Sequence, residues 1–351
     1  MSKVEIKINN RTIQNFSKPF IIAEVGANFN GNLDTAKKMI TSAKDSGADA
    51  VKFQAGNKDN MLSKILWDNK PSPLPVFGHQ SQAELEDFLS LSYDDHKKLY
   101  EHSVSIGIEF SSTVFSFDYV DFLDDLGVNF FKIASMDLNH SKLIECVAKK
   151  NKLTFLSTGL GNIEEIENAV NIFKKNGNEQ LILMHCVSLY PPKSNEVNLN
   201  NIKFFSEKFN LNVGFSDHTL GIDISLASFA LGACALEKHF TLDKTLPGWD
   251  HSISADPDDL KQICKSSIEI NEALGTSNRS LSEREKNNIN NFRRSIVAAK
   301  DLKSGTIIDD RMIDYKRPGT GIEPNKYNKV IGKKLLKDLE YDEQIKFEHL
   351  E

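Results

Sequence analysis

The sequence predicts an α/β fold: a (β/α)8 barrel over residues 21–275, followed by a small, mostly β domain. Three observations carry this. Eight short apolar runs alternate with stretches whose apolar residues recur at helical spacing. Nearly every one of those runs stops at a charged or hydroxyl residue. After about residue 290 the pattern changes to short strand-like pieces punctuated by Gly305, Pro318, Gly319 and Gly321. A doubly wound open sheet is the alternative, but no dinucleotide-type glycine fingerprint follows the first strand.

Residues 1–20 alternate around Asn9-Asn10-Arg11 and read as a hairpin. Residues 21–26 form the first buried strand. Residues 33–46 place Ala36, Met39, Ile40 and Ala43 on one helical face, and Gly47 ends that helix. Residues 50–54 are the second strand. Strands then follow at 106–112, 130–135, 154–159 and 181–186, with helices at 117–126, 143–149, 163–174 and 202–209. The barrel closes with a strand over 213–218, a helix over 222–231 and a strand over 234–240. A long insertion, 57–93, with Pro71, Pro73, Pro75 and Gly78, follows strand two. A loop of that length at a barrel mouth is often functional. Residues 276–290 are polar and read as a linker to the small domain, 291–351.

Composition excludes several classes. The chain has 351 residues, 40% hydrophobic and 26% charged, ordinary for a globular protein. A net charge of -6 implies no basic face for nucleic acid. No apolar run approaches the roughly 18 residues of a membrane span. The N-terminus lacks the apolar core of a signal peptide. Cys146, Cys186, Cys234 and Cys264 have neither metal-ligand nor disulfide spacing. The expectation is a cytoplasmic protein with no nucleic-acid or membrane partner.

The strand ends carry the chemistry. In order they supply Glu24; Lys52 and Gln54; Ser111, Ser112 and Thr113; Lys132 and Ser135, with Asp137 beyond; Ser157 and Thr158; His185 and Ser188, with Tyr190 beyond; Ser216, Asp217 and His218; and Glu237, Lys238 and His239. A strand buried on both faces should be almost continuously apolar. So many polar ends together read as one site at the barrel mouth. Two lysines inside strands, Lys52 and Lys132, need a counter-anion, either a carboxylate such as Glu24 or Asp137 or a bound ligand. With the hydroxyls of Thr113, Ser135, Ser157, Ser188 and Ser216 they suit a phosphate or a phosphorylated carboxylate. His218 and His239, with a nearby carboxylate, suit a divalent metal, Mn or Mg, with positions left open for a substrate oxygen.

These motifs resemble the N-acetylneuraminate (sialic acid) synthase family, including its pseudaminate and legionaminate branches. The similar blocks are Ile22-Ala23-Glu24-Val25-Gly26, Ala50-Val51-Lys52-Phe53-Gln54, Phe131-Lys132-Ile133-Ala134-Ser135 and Ser157-Thr158-Gly159. Further blocks are His185-Cys186 through Tyr190-Pro191, Ser216-Asp217-His218-Thr219, Glu237-Lys238-His239-Phe240 and Pro247-Gly248 with Asp250-His251. In the small domain, Lys316-Arg317-Pro318-Gly319-Thr320-Gly321 resembles the antifreeze-like (SAF) domain of that family. The resemblance implies condensation of phosphoenolpyruvate with an N-acetylated hexose, of the N-acetylmannosamine type, with release of phosphate. The alternatives are a diacetamido-trideoxyhexose as acceptor, or another metal-dependent aldolase on the same barrel.

The resemblance also implies roles. Lys52, Thr113, Lys132, Ser135, Ser157, Ser188 and Ser216 would hold phosphoenolpyruvate. His218 and His239 would ligate the metal. Gln54, Asp137, Tyr190 and Asp250 would meet the sugar. Arg317 would reach a partner's barrel mouth in a domain-swapped homodimer. The expected catalytic set is Glu24, Lys52, Lys132, Asp137 and His239, with Glu24 either the acid/base or simply a salt-bridge partner of Lys52. Phe29, Asp137 and Ser188 depart from the common pattern of that family, and Trp249 in Gly248-Trp249-Asp250 is also unusual there, although an exposed aromatic beside a sugar serves as a stacking platform. An apolar replacement such as Phe29 would suit a deoxy, diacetamido acceptor.

Overall fold

A two-stranded antiparallel hairpin, β1 (Ile6–Ile8) and β2 (Arg11–Ile13), opens the chain in a computed structural model that describes residues 5–69, 72, 74 and 77–351. Eight parallel strands follow: β3 (Phe20–Glu24), β4 (Ala50–Ala55), β5 (Glu109–Val114), β6 (Phe130–Ile133), β7 (Leu153–Ser157), β8 (Leu181–Cys186), β9 (Asn212–Asp217) and β10 (Ala235–His239). They run around the barrel in chain order, and β10 closes against β3. Helices α1 (Leu33–Asp45), α2 (Lys58–Met61), α3 (Lys64–Asn69), α4 (Gln82–Leu89), α5 (Tyr93–Ile106), α6 (Phe117–Leu126), α7 (Ser141–Lys149), α8 (Ile163–Lys175), α9 (Asn201–Phe209), α10 (Asp223–Ala230) and α11 (Pro257–Leu274) connect or cover them. The chain divides into two compact units, residues 1–275 and 276–351.

Two apolar layers hold the first unit together. One packs the outer strand faces against the helices, with Val51, Phe53, Phe131 and Phe215 meeting Ile40, Leu99, Val120 and Phe173. The other fills the amino-terminal end of the barrel, where Ile6, Ile8 and Ile13 of the hairpin pack on Phe20, Phe130 and Phe155. Phe20 stacks on Phe155 at 6.0 Å, and Phe130 meets Phe155 edge-on at 5.3 Å. The hairpin thus plugs the floor, and the opposite end is left for polar side chains.

The structure differs from the expected elements in three places. The strand expected at 106–112 begins at Glu109, because α5 runs through Ile106 and Gly107 ends it in the left-handed region at φ 73°. That helix buries His96, Leu99 and Ser103, and only one of these is apolar, so no hydrophobic period marked it. The insertion at 57–93 contains α2, α3 and α4, the first capped by Asn57 and the third by Ser81. Pro71, Pro73 and Pro75 lie outside the described residues, while Gly78 takes φ 78°. Within and beyond the expected linker, α12 (Glu283–Phe292) forms behind the Ser282 cap; it buries none of its residues, so again no apolar stripe announced it.

In the second unit, β11 (Ser295–Ala298) and β12 (Ile313–Lys316) pair antiparallel. Isolated bridges such as Leu302 to Leu339 and Leu335 to Leu350 extend that β character. Ile296, Leu302, Ile308, Val330, Leu339 and Ile345 form its core.

Candidate active site

Parallel register brings distant residues side by side. Glu24 of β3 stands opposite Lys52 of β4 and His239 of β10. Thr113 of β5 faces Lys132 of β6, and Ser216 of β9 faces Glu237 of β10. All of these side chains but that of Thr113 line a cavity of about 480 Å³ at the carboxyl ends of the strands. Of the residues read from the sequence, Glu24, Lys52, Gln54, Lys132, Ser135, Ser157, Ser188, Tyr190, Ser216, His218, His239 and Asp250 line it.

A buried ion network forms the deep wall. The Lys52 ammonium lies 2.5 Å from Glu24 Oε2 and donates to Thr113 Oγ1 at 2.7 Å. Glu237 stands between the lysines, 3.8 Å from Lys52 and 3.7 Å from Lys132. Ser216 Oγ donates to Glu237 Oε1 at 3.0 Å. Among the described residues, the one hydrogen-bond acceptor of Lys132 Nζ is the Ile133 carbonyl, at 3.2 Å. These groups are nearly inaccessible, so burial works against each charge. Burial pushes Glu24 up to about 7, with the Glu237 charge adding and Lys52 opposing. Burial would raise Glu237 too, but the two lysines hold it down at about 2. Burial, reinforced by Lys52, lowers Lys132 against the pull of Glu237.

Above this wall the two imidazoles meet, ring centroids 5.3 Å apart. Burial, with His218 and Lys52 adding, holds His239 well below its ordinary value, so it is neutral. Its Nδ1 has no hydrogen-bond partner among the described residues and lies 3.4 Å from Asp250 Oδ2. Burial lowers His218, but the Cys186 sulfur at 4.0 Å and the Val187 carbonyl at 2.9 Å from Nδ1 outweigh it. A proton shared with that carbonyl leaves Nε2 as the free lone pair. The donor chemistry therefore fits a divalent cation, though only as a pair: among the described residues no group of three His, Cys, Asp or Glu is assembled for a metal. Water and substrate oxygens would complete the coordination. Tyr190 lies against His218, ring centroids 4.2 Å apart, and burial raises its phenol.

Two residues expected in the mouth do not line the cavity, Thr113 and Asp137. Thr113 is buried beneath Lys52. Asp137 sits in the turn Ser135–Asp137, its Oδ2 without a hydrogen-bond partner among the described residues and its carboxyl raised by burial. Arg317 is exposed on the second unit. Among the strand-end residues read as facing the mouth, Ser111, Ser112, Thr158, His185, Asp217 and Lys238 also do not line it. Strands alternate faces, and a list of polar strand ends mixes both. Phe29 is 2% exposed and packs on Phe53 in the core, so its apolar ring does not shape the cavity. Trp249 does line it.

Sequence reasoning assigned no role to Glu237, although its position two residues before His239 on one strand puts both on the same face. It also missed the apolar wall of Met61, Phe115, Met136 and Leu160. Met61 comes from α2, inside the insertion read as a loop. Gly159 sets the spacing of two hydroxyls: a Cβ there would stand 2.7 Å from Ser135 Oγ and closer still to Ser188 Oγ.

The sequence pattern of the NeuB family matches residues 39–279, and that of the SAF domain matches residues 293–351. The chain is 42% identical to an N,N'-diacetyllegionaminic acid synthase of Campylobacter jejuni, over 94% of this chain and 99% of that protein. It is 38% identical to an N,N'-diacetyllegionaminic acid synthase of Legionella pneumophila, over 95% and 94%. Its fold is similar to the crystal structure of N-acetylneuraminic acid synthetase from Leptospira borgpetersenii, with TM-score 0.74, 34% identity, and 82% and 95% of the two chains covered.

Proposed function

The chain belongs to the NeuB family of phosphoenolpyruvate-dependent transferases, and on that premise we propose that it condenses phosphoenolpyruvate with a diacetamido-trideoxyhexose to give a nine-carbon 2-keto-3-deoxy sugar acid and phosphate. The observation that carries the chemistry is the buried pair of ammonium groups, Lys52 and Lys132, beside the Ser135, Ser157, Ser188 and Ser216 hydroxyls. Two cations with converging hydroxyls match an anion that bears both phosphate and carboxylate.

The acceptor assignment rests on two supports. The legionaminic acid synthases are 42% and 38% identical, against 34% for the N-acetylneuraminic acid synthetase. Met61, Phe115, Met136, Leu160 and Trp249 give the cavity an apolar wall that suits a methyl in place of a hydroxymethyl and a second acetamido group. N-acetylmannosamine, the acceptor placed first by sequence alone, is the second reading, supported by the 34% identical synthetase.

In this reading Lys52 and Lys132 hold the phosphate and carboxylate and neutralise the departing anion. Gln54, Tyr190 and Asp250 orient the acceptor, its aldehyde carbon toward the third carbon of phosphoenolpyruvate. Attack forms the new carbon–carbon bond; water adds at the second carbon, and the carbon–oxygen bond to phosphate then breaks as the new hydroxyl becomes the keto oxygen and its proton leaves with the phosphate. Glu24, poised at about 7, takes the proton that water loses and returns one to the acceptor oxygen. A divalent cation held by His218 and His239, Mn or Mg, would when bound polarise the aldehyde oxygen as a Lewis acid. Arg317 would serve a partner's barrel in a domain-swapped homodimer, and the cytoplasm, where phosphoenolpyruvate is made, would be its compartment. No helix among the described residues is long and apolar enough to cross a membrane.

The test is phosphate release from phosphoenolpyruvate with Mn, against N-acetylmannosamine and diacetamido-trideoxyhexoses, with product mass as a second readout. Release that needs a diacetamido sugar and stops on chelation is expected. Preference for N-acetylmannosamine would overturn the acceptor assignment. Silence across the panel from folded protein would overturn the condensation itself.

A further inference from the structure

We propose that the buried Asp217–Lys238 ion pair is a positioning clamp that holds His218 and His239 at ligating separation; this rests on the metal reading above. Neither side chain lines the cavity, and both are almost fully buried, at 0% and 2% side-chain exposure. The paired register of β9 and β10 ends at Lys238 opposite Asp217, so His218 lies one residue past the last paired position. Lys238 makes up for that missing ladder. Its Nζ donates to Asp217 Oδ2 at 2.9 Å and to the Thr219 carbonyl at 2.8 Å, gripping the residues on both sides of His218. Asp217 Oδ1 accepts from the Thr219 amide at 2.8 Å, and Oδ2 also accepts from Ser225 Oγ of α10. Because Lys238 is itself the neighbour of His239, one side chain ties together the backbones that carry both imidazoles.

Stability alone does not account for the pair. Desolvating two charges costs roughly what their attraction returns, and a well-packed apolar pair serves stability as well or better. What an apolar pair cannot do is fix three directional bonds around one residue. Groups that orient metal ligands from behind typically change metal affinity 10–100-fold when altered.

The experiment compares the full chain with Asp217→Asn/Lys238→Met and with Lys238→Met. The double variant leaves no lone buried charge and keeps an acceptor for the Thr219 amide, so it retains the fold even where the single one does not. Free Mn is followed by electron paramagnetic resonance during titration, and folding by urea unfolding. Expected is cooperative unfolding with Mn affinity reduced 10–100-fold, and phosphate release that returns as Mn is raised. A folded double variant that binds Mn within about threefold of the parent would overturn the clamp while leaving the metal site intact. Turnover that stays lost at saturating Mn would overturn it in favour of a merely structural role. A parent chain that binds no Mn would overturn the metal reading, and the clamp with it.

Discussion

Substituting Glu237→Gln tests whether the ion network is held together by that one carboxylate. Glu237 is the only anion within 4 Å of Lys132 among the described residues, at 3.7 Å, whereas Lys52 keeps Glu24 at 2.5 Å. At an effective dielectric of about 20, a unit pair at that separation is worth about 4 kcal/mol. Removing one partner of a buried pair costs about 3–5 kcal/mol, because the other charge is stranded. The amide retains an acceptor for the Ser216 hydroxyl, so little else changes. Equilibrium unfolding in urea, followed through Trp249, should therefore lose about 3–4 kcal/mol. Adding Lys132→Met removes the stranded ammonium, and the double variant should regain at least half of that loss. A Glu237→Gln chain within about 1 kcal/mol of the parent, or a double variant no better than the single, would refute this account.

His96, Gly159 and Phe29 give three further expected outcomes. Burial lowers His96 from 6.5 to about 4, so the unfolded chain binds its proton first. That contribution is whole above pH 6.5 and is lost as pH falls toward 4, up to about 3 kcal/mol. Stability measured against pH should show His96→Leu losing less than the parent across that window; parallel curves would exclude His96 as the cause. Gly159→Ala drives a methyl toward Ser135 and Ser188. Overpacking of about 1–3 kcal/mol, at tenfold per 1.4 kcal/mol, should raise KM for phosphoenolpyruvate roughly 5–100-fold in a folded enzyme; an unchanged KM would show that those hydroxyls do not hold it. Phe29→His puts a polar ring into the core rather than the cavity. Stability should fall by about 1–3 kcal/mol while the ratio of kcat/KM between acceptors stays constant; a changed ratio would place residue 29 in acceptor selection after all.

The chain's own order of residues determined the barrel, its eight strands and the grouping of most site residues. Apolar runs that end in polar groups are a local pattern, and residues at the carboxyl ends of parallel strands must share one mouth. Lys52, Lys132, His218 and His239 were legible because charge or imidazole in a buried strand has no cheap structural excuse. Helices α5 and α12 were not legible, because one buries His96 and Ser103 and the other buries nothing.

Only tertiary structure decided which face each strand-end group takes. Asp217 and Ser216 are neighbours in sequence, yet one meets Lys238 behind the strands and the other meets Glu237 in the cavity. Burial raises Glu24 against the pull of the lysines, while the same two lysines overcome burial and depress Glu237, a balance that no spacing in sequence encodes. Charge interactions fall with separation in space and strengthen as water is removed, and both quantities exist only once the barrel has closed.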